Sequence, residues 1–105
     1  MPFHAFDVSL ELIRCLRDPV RQLRAADPKL ADQLRRAAAS VALNLAEGRR
    51  RFGHDRRYLF SVAAGSAAEV RAALQVAAAW GDVDANEQAL QLVDRVVAMT
   101  WRLTH

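Results

Sequence analysis

Two alanine-rich runs flank a cluster of arginines, and this arrangement leaves the chain few folds to choose from. The first run is Gln33-Leu34-Arg35-Arg36-Ala37-Ala38-Ala39-Ser40-Val41-Ala42-Leu43-Asn44-Leu45-Ala46-Glu47-Gly48. The second is Tyr58-Leu59-Phe60-Ser61-Val62-Ala63-Ala64-Gly65-Ser66-Ala67-Ala68-Glu69. Alanine is the strongest helix former and lets helices pack closely. Both runs therefore predict long helices, folded back on each other around a turn from Gly48 to His54. The chain is 52% hydrophobic with only four Gly and three Pro, which argues against disorder. Its 105 residues suit one domain, residues 1–105, with one modest core.

The flanking segments predict two further helices. Met1 to Phe6 reads as a short lead, with a helix starting near Asp7. Leu10, Ile13, Leu16, Val20 and Leu23 recur at spacings of three and four, and Val8, Leu12 and Cys15 widen the stripe. Pro19 cannot donate to the carbonyl of Cys15, so Asp18-Pro19 predicts a kink, or else a cap for a second short helix. Asp27-Pro28 is a cleaner boundary, with Asp27 as N-cap and Pro28 at the first helical position. The second helix then runs to Glu47, about 30 Å, along a seam of Leu30, Leu34, Ala37, Val41 and Leu45, with Gly48 as its stop.

A third helix is expected from Asp55 to Trp80, stopped by Gly81. Its inner face is Leu59, Val62, Ala63, Ser66, Val70, Leu74 and Ala77. Asp84-Ala85-Asn86-Glu87 has the form of a capping box with Asp84 as the cap. The fourth helix follows to about Leu103, with Leu90, Val93, Val97, Thr100 and Trp101 inward. Four helices with short connections predict an all-α, up-down-up-down antiparallel four-helix bundle.

A polar seam is expected inside the central hairpin. Arg36, Ser40, Asn44 and Glu47 share one face of the second helix, and Tyr58, Ser61, Gly65 and Glu69 share one of the third. Folding about Arg51 and Phe52 sets Arg36 opposite Glu69, Ser40 opposite Gly65, Asn44 opposite Ser61 and Glu47 opposite Tyr58. The same reasoning brings Arg71 level with Asp94. The seam is either a set of ion pairs and hydrogen bonds, a solvated face, or a subunit contact.

Net charge is +3, and Lys29 is the only lysine, so the excess is arginine. GC-rich codon usage enriches Arg and Ala, and arginine also suits bidentate contact with phosphate or carboxylate. In an up-down bundle one pole gathers Arg49, Arg50, Arg51, Arg56, Arg57 and Arg102, opposed by Asp7, Glu47 and Asp55. His4, His54, His105, Phe3, Phe6, Phe52, Tyr58 and Trp101 fall at the same pole. Asp18, Asp27, Asp32, Asp82, Asp84 and Glu87 gather at the other, with Arg17, Arg21, Arg24 and Lys29 among them. Arginines neutralise phosphates and exposed rings stack on unpaired bases, so the basic pole is a candidate for RNA or DNA binding. It equally suits an acidic protein, or serves only to keep an alanine-rich chain soluble.

No P-loop, GxGxxG, HExxH, CxxC or GxSxG pattern occurs, and the histidines and Cys15 lack metal-ligand spacing. Ser40, Ser61 and Ser66 have no nearby base. The chain is expected to have no catalytic residues, no cofactor and no metal. With no signal peptide and no apolar run near the roughly 20 residues of a membrane span, it is expected to be soluble and cytoplasmic.

The run Gln33-Leu34-Arg35-Arg36-Ala37-Ala38, followed by Ser40-Val41-x-x-Asn44-Leu45-Ala46-Glu47-Gly48, resembles the four-helix-bundle proteins tied to intervening sequences in bacterial 23S rRNA genes. So does Phe60-x-x-x-Ala64-Gly65-Ser66-x-x-Glu69. The resemblance extends from Phe6 to the end of the fourth helix. It departs where the family often has proline near Ala42, and at Asp18-Pro19. It implies a homopentameric ring. Related members resemble the accessory protein of diversity-generating retroelements, which implies a basic surface for nucleic acid and a reverse transcriptase, or another protein, as partner. It also implies that Arg36, Ser40, Asn44, Glu47, Gly48, Gly65, Ser66 and Glu69 are structural, holding the hairpin or a subunit contact.

Overall fold

The computed structural model describes residues 3–84 and 86–105. Met1 and Pro2 of the expected lead, and Ala85 of the expected capping box, lie outside the described residues. The described residues form four α-helices and no strand: α1 (His4–Ala26), α2 (Pro28–Arg49), α3 (Gly53–Trp80) and α4 (Glu87–Thr104). Each packs against its sequence neighbour, and α1 also packs against α4. The molecule measures 42 × 22 × 19 Å. Its long axis matches the roughly 42 Å expected of a helix as long as α3.

Local chemistry sets three of the helix ends. The Asp27 side chain accepts from the Leu30 N–H at 3.0 Å, and Pro28 occupies the first position of α2. Gly81 ends α3 at φ +79, a left-handed conformation that glycine adopts without steric cost. At α4 the cap is Asn86, whose side chain accepts from the Ala89 N–H at 3.0 Å, and not Asp84 as expected. Asn86 is placed one residue before the helix, where a short side chain reaches the third N–H.

Helix α1 corrects the expectation twice. It begins at His4, three residues early, because Phe3 packs against Phe60 with ring centroids 5.9 Å apart and anchors the first turn. It also runs unbroken through Pro19, which is buried. Burial in the core holds that turn although Pro19 lacks the N–H donor, so Asp18 caps nothing and instead sits 3.5 Å from Arg21.

One core draws on all four helices. Leu12, Leu16 and Leu23 of α1, Leu34, Val41 and Leu45 of α2, Phe60, Val70 and Leu74 of α3, and Val93 and Val96 of α4 are buried together, with alanines filling between them. Trp101, expected inward, is 59% exposed, and the buried positions in that part of α4 are Val96 and Thr100. The buried hydroxyls of Ser9 and Thr100 donate to carbonyls of their own helices, Phe6 at 2.6 Å and Val96 at 2.9 Å. Among the described residues no buried side-chain polar atom lacks a partner. Among the described residues no helix is long and apolar enough to cross a membrane.

Candidate functional site

The α2–α3 connection is shorter than expected. Only Arg50, Arg51 and Phe52 separate the two helices. Gly53 at φ +56 supplies the reversal. Gly48 is not the stop of α2; it lies inside the helix and is buried. A β-carbon at Gly48 would come within 2.7 Å of Phe60 Cε1. The glycine is there for close approach of α3, and the helix ends two residues later at a right-handed Arg50.

Arg56 closes the turn. Its Nε donates to the Gly48 carbonyl at 3.3 Å and its Nη2 to the Arg49 carbonyl at 2.9 Å. These carbonyls belong to the end of α2, where intrahelical donors run out and the dipole favours a cation. The guanidinium also lies 5.7 Å from the Phe52 ring centroid. Arg56 is therefore a staple as well as a charge. Arg51 turns back to Glu47, donating from Nε at 2.9 Å and Nη2 at 2.7 Å to one carboxylate oxygen. That hydrogen bond, and then the charge behind it, raises the arginine's pKa. Arg49 lies over Phe3, 5.4 Å from its centroid, which brings the start of α1 to the same end as the turn.

Arg50, Arg57 and Arg102 are exposed, and among the described residues none of them makes an ion pair. Phe52 and Tyr58 are 83% and 68% exposed beside them in sequence. Trp101 stacks on His105, with centroids 3.4 Å apart and planes at 15°. Phe3 is spent on the core, and Phe6 is half-buried against it. His4, His54 and His105 are exposed. Among the described residues no group of three His, Cys, Asp or Glu could hold a metal ion.

The motif residues divide between inside and outside. Ser40 Oγ lies 2.8 Å from Ser66 Oγ, joining α2 to α3. Asn44 Nδ2 donates to the Ser40 carbonyl at 2.9 Å and to Ser40 Oγ at 3.0 Å. Either serine hydroxyl can donate in the bond between them. The expected seam is thus one residue out of register: Ser40 meets Ser66 rather than Gly65, and Asn44 turns to its own helix rather than to Ser61. Glu47 holds Arg51 rather than facing Tyr58. Arg36 and Glu69 point outward, and the expected pair between them does not form. A β-carbon on exposed Gly65 would meet nothing within 4 Å among the described residues, so close approach within the chain is not its reason. Arg71 and Asp94 do pair, at 2.9 Å.

Sequence reasoning missed the Arg56 staple and the Gly48–Phe60 contact. The second had a signal, since Phe60 is the largest apolar side chain in the second run and stands nearly level with Gly48 across the turn.

Nothing among curated proteins matches the chain. The family model described as 23S rRNA-intervening sequence protein matches residues 4–103, from the first residue of α1 almost to the last of α4. The chain therefore belongs to the 23S rRNA-intervening sequence protein family.

Proposed function

We propose that the chain is a non-enzymatic, cytoplasmic four-helix bundle of up-down-up-down antiparallel topology that assembles as a cyclic homo-oligomer. Nucleic acid, or a nucleoprotein partner, is held at its arginine-rich end. Support for the topology comes from the level-by-level contacts: Gly48 with Phe60 and Ser40 with Ser66 across α2 and α3, and Arg71 with Asp94 across α3 and α4. The pentamer is what the resemblance implies, and Leu43, 69% exposed on α2, is the kind of apolar side chain that a subunit contact would cover.

The observation that carries the binding reading is Arg50 and Arg57, exposed and without ion partners among the described residues, next to exposed Phe52 and Tyr58. Free guanidiniums release counterions from phosphate, and exposed rings accept bases of any sequence. Arg49, Arg51 and Arg102 add charge, and Arg56 shapes the turn that presents it. Repetition around a ring would multiply weak contacts into avidity. Titration of a labelled single-stranded oligonucleotide at increasing salt tests it, with Arg50→Glu/Arg57→Glu as the comparison. The alternative is a scaffold ring that recruits a protein, such as a reverse transcriptase, with no direct nucleic-acid contact. A pull-down that enriches one protein and survives nuclease treatment favours that alternative.

A further inference from the structure

A groove of about 310 Å³ runs between α1 and α2, away from the arginine turn. Its floor is apolar: Ile13 and Val20 of α1 meet Ala38 and Ala39 of α2. Ile13, Val20 and Ala39 are half-buried, so the floor is open to an occupant. Its walls are arginines, Arg17, Arg21 and Arg24 on one side and Arg35 on the other.

The rim is under-neutralised. Arg24 pairs with Asp32 at 2.8 Å, and Arg21 lies 3.5 Å from a nearly fully exposed Asp18. Arg17 and Arg35 are exposed and make no ion pair among the described residues. From Ile13 to Arg24 the groove follows α1 for about 16 Å, roughly three helical turns. Arg17, Arg21 and Arg24 are set at successive turns of α1 along this length, and Arg35 stands across from them on α2. One anionic head would leave most of them unused. Nucleic acid would gain nothing from the alkyl floor, and no exposed aromatic lines it for a base. An amphipathic helix with an apolar ridge and carboxylates on both flanks matches floor and walls together.

We propose that the α1–α2 groove is a docking site for an acidic amphipathic helix of a partner protein. The ridge sits on Ile13, Val20, Ala38 and Ala39, and flanking carboxylates take Arg17 and Arg35. This site is separate from the arginine turn and does not depend on it.

The test uses fluorescence anisotropy with the full chain and a labelled helical peptide of about 14 residues, roughly four turns. The peptide carries leucines at i, i+3, i+4 and i+7 and glutamates on both flanks. Saturable binding is expected, weakened about tenfold or more by Arg17→Glu/Arg35→Glu. Ala39→Phe, which fills the groove without touching charge, should weaken it as well. Arg50→Glu/Arg57→Glu should leave it unchanged, and a peptide with lysines for glutamates should not bind. Circular dichroism melts show that each variant is folded. Four outcomes overturn the proposal: no saturable binding; binding indifferent to both groove variants; displacement of the peptide from the groove by a single-stranded oligonucleotide; or a change in the mass of the assembly with Arg17→Glu/Arg35→Glu, which would give the groove to a second copy.

Discussion

Gly48 and Phe60 are packed so closely that the smallest side chain on Gly48 would overlap the ring, with a β-carbon 2.7 Å from Cε1 and 2.8 Å from Cδ1. Phe60 is 4% exposed and packed at a tilt against Phe3, so the ring has little room to retreat. The contact fixes how near α2 and α3 come at the base of the arginine turn, and with it where the turn sits.

Gly48→Ala is therefore expected to destabilise the fold. Replacing glycine in a helix normally gains about 1 kcal/mol, but overpacking a core costs about 1–3 kcal/mol, and the clash should win. Thermal melts check it: a higher Tm would mean that the ring yields.

Gly65→Ala is the contrasting case. Gly65 is exposed in the middle of α3, and an added β-carbon meets nothing within 4 Å among the described residues. The helix-propensity gain of roughly 0.5–1 kcal/mol should appear in full as a raised Tm. A lowered Tm, or a smaller assembly by light scattering, would mean that another copy lies against this face.

Much of the framework is legible in the residues, for local reasons. Asp27-Pro28 and Gly81 act through their own backbone and side chains, so their boundaries hold wherever the helices pack. Arg71 and Asp94 were level by simple counting about the α3–α4 connection, and they pair. What could not be read depends on contacts from elsewhere. Pro19 reads as a break but is carried by burial in the core. Gly48 reads as a helix stop but answers to Phe60 across the turn. In the seam a one-residue shift replaced Gly65 by Ser66 as the partner of Ser40. At the basic end, counting arginines treated six as alike, whereas Arg56 and Arg51 are committed to carbonyls and to Glu47.

Ser40 and Ser66 should be coupled. The single changes Ser40→Ala and Ser66→Ala each remove a half-buried hydrogen bond that ordinarily contributes about 0.5–1.5 kcal/mol. Because both act on the same bond, the double variant should lose less than the two singles together, which a double-mutant cycle in urea measures. Strict additivity would show that the two hydroxyls do not depend on each other.

Arg56→Ala should loosen the turn. It uncovers the carbonyls of Gly48 and Arg49 and removes a cation from the end of α2, a loss of about 1–2 kcal/mol. Arg56→Lys should recover part of it, because the charge returns without the forked geometry. Equal stability of all three forms would deny the staple.

The most direct test of the arginine end as a nucleic-acid surface is the salt dependence of oligonucleotide binding, measured with the natural chain and with Arg50→Glu/Arg57→Glu. Phosphate contacts made by these residues give a plot of log affinity against log salt that falls steeply for the natural chain and is shallower and weaker for the variant. Affinity that ignores salt, or the same slope and strength in both proteins, would contradict a binding surface at this end of the bundle.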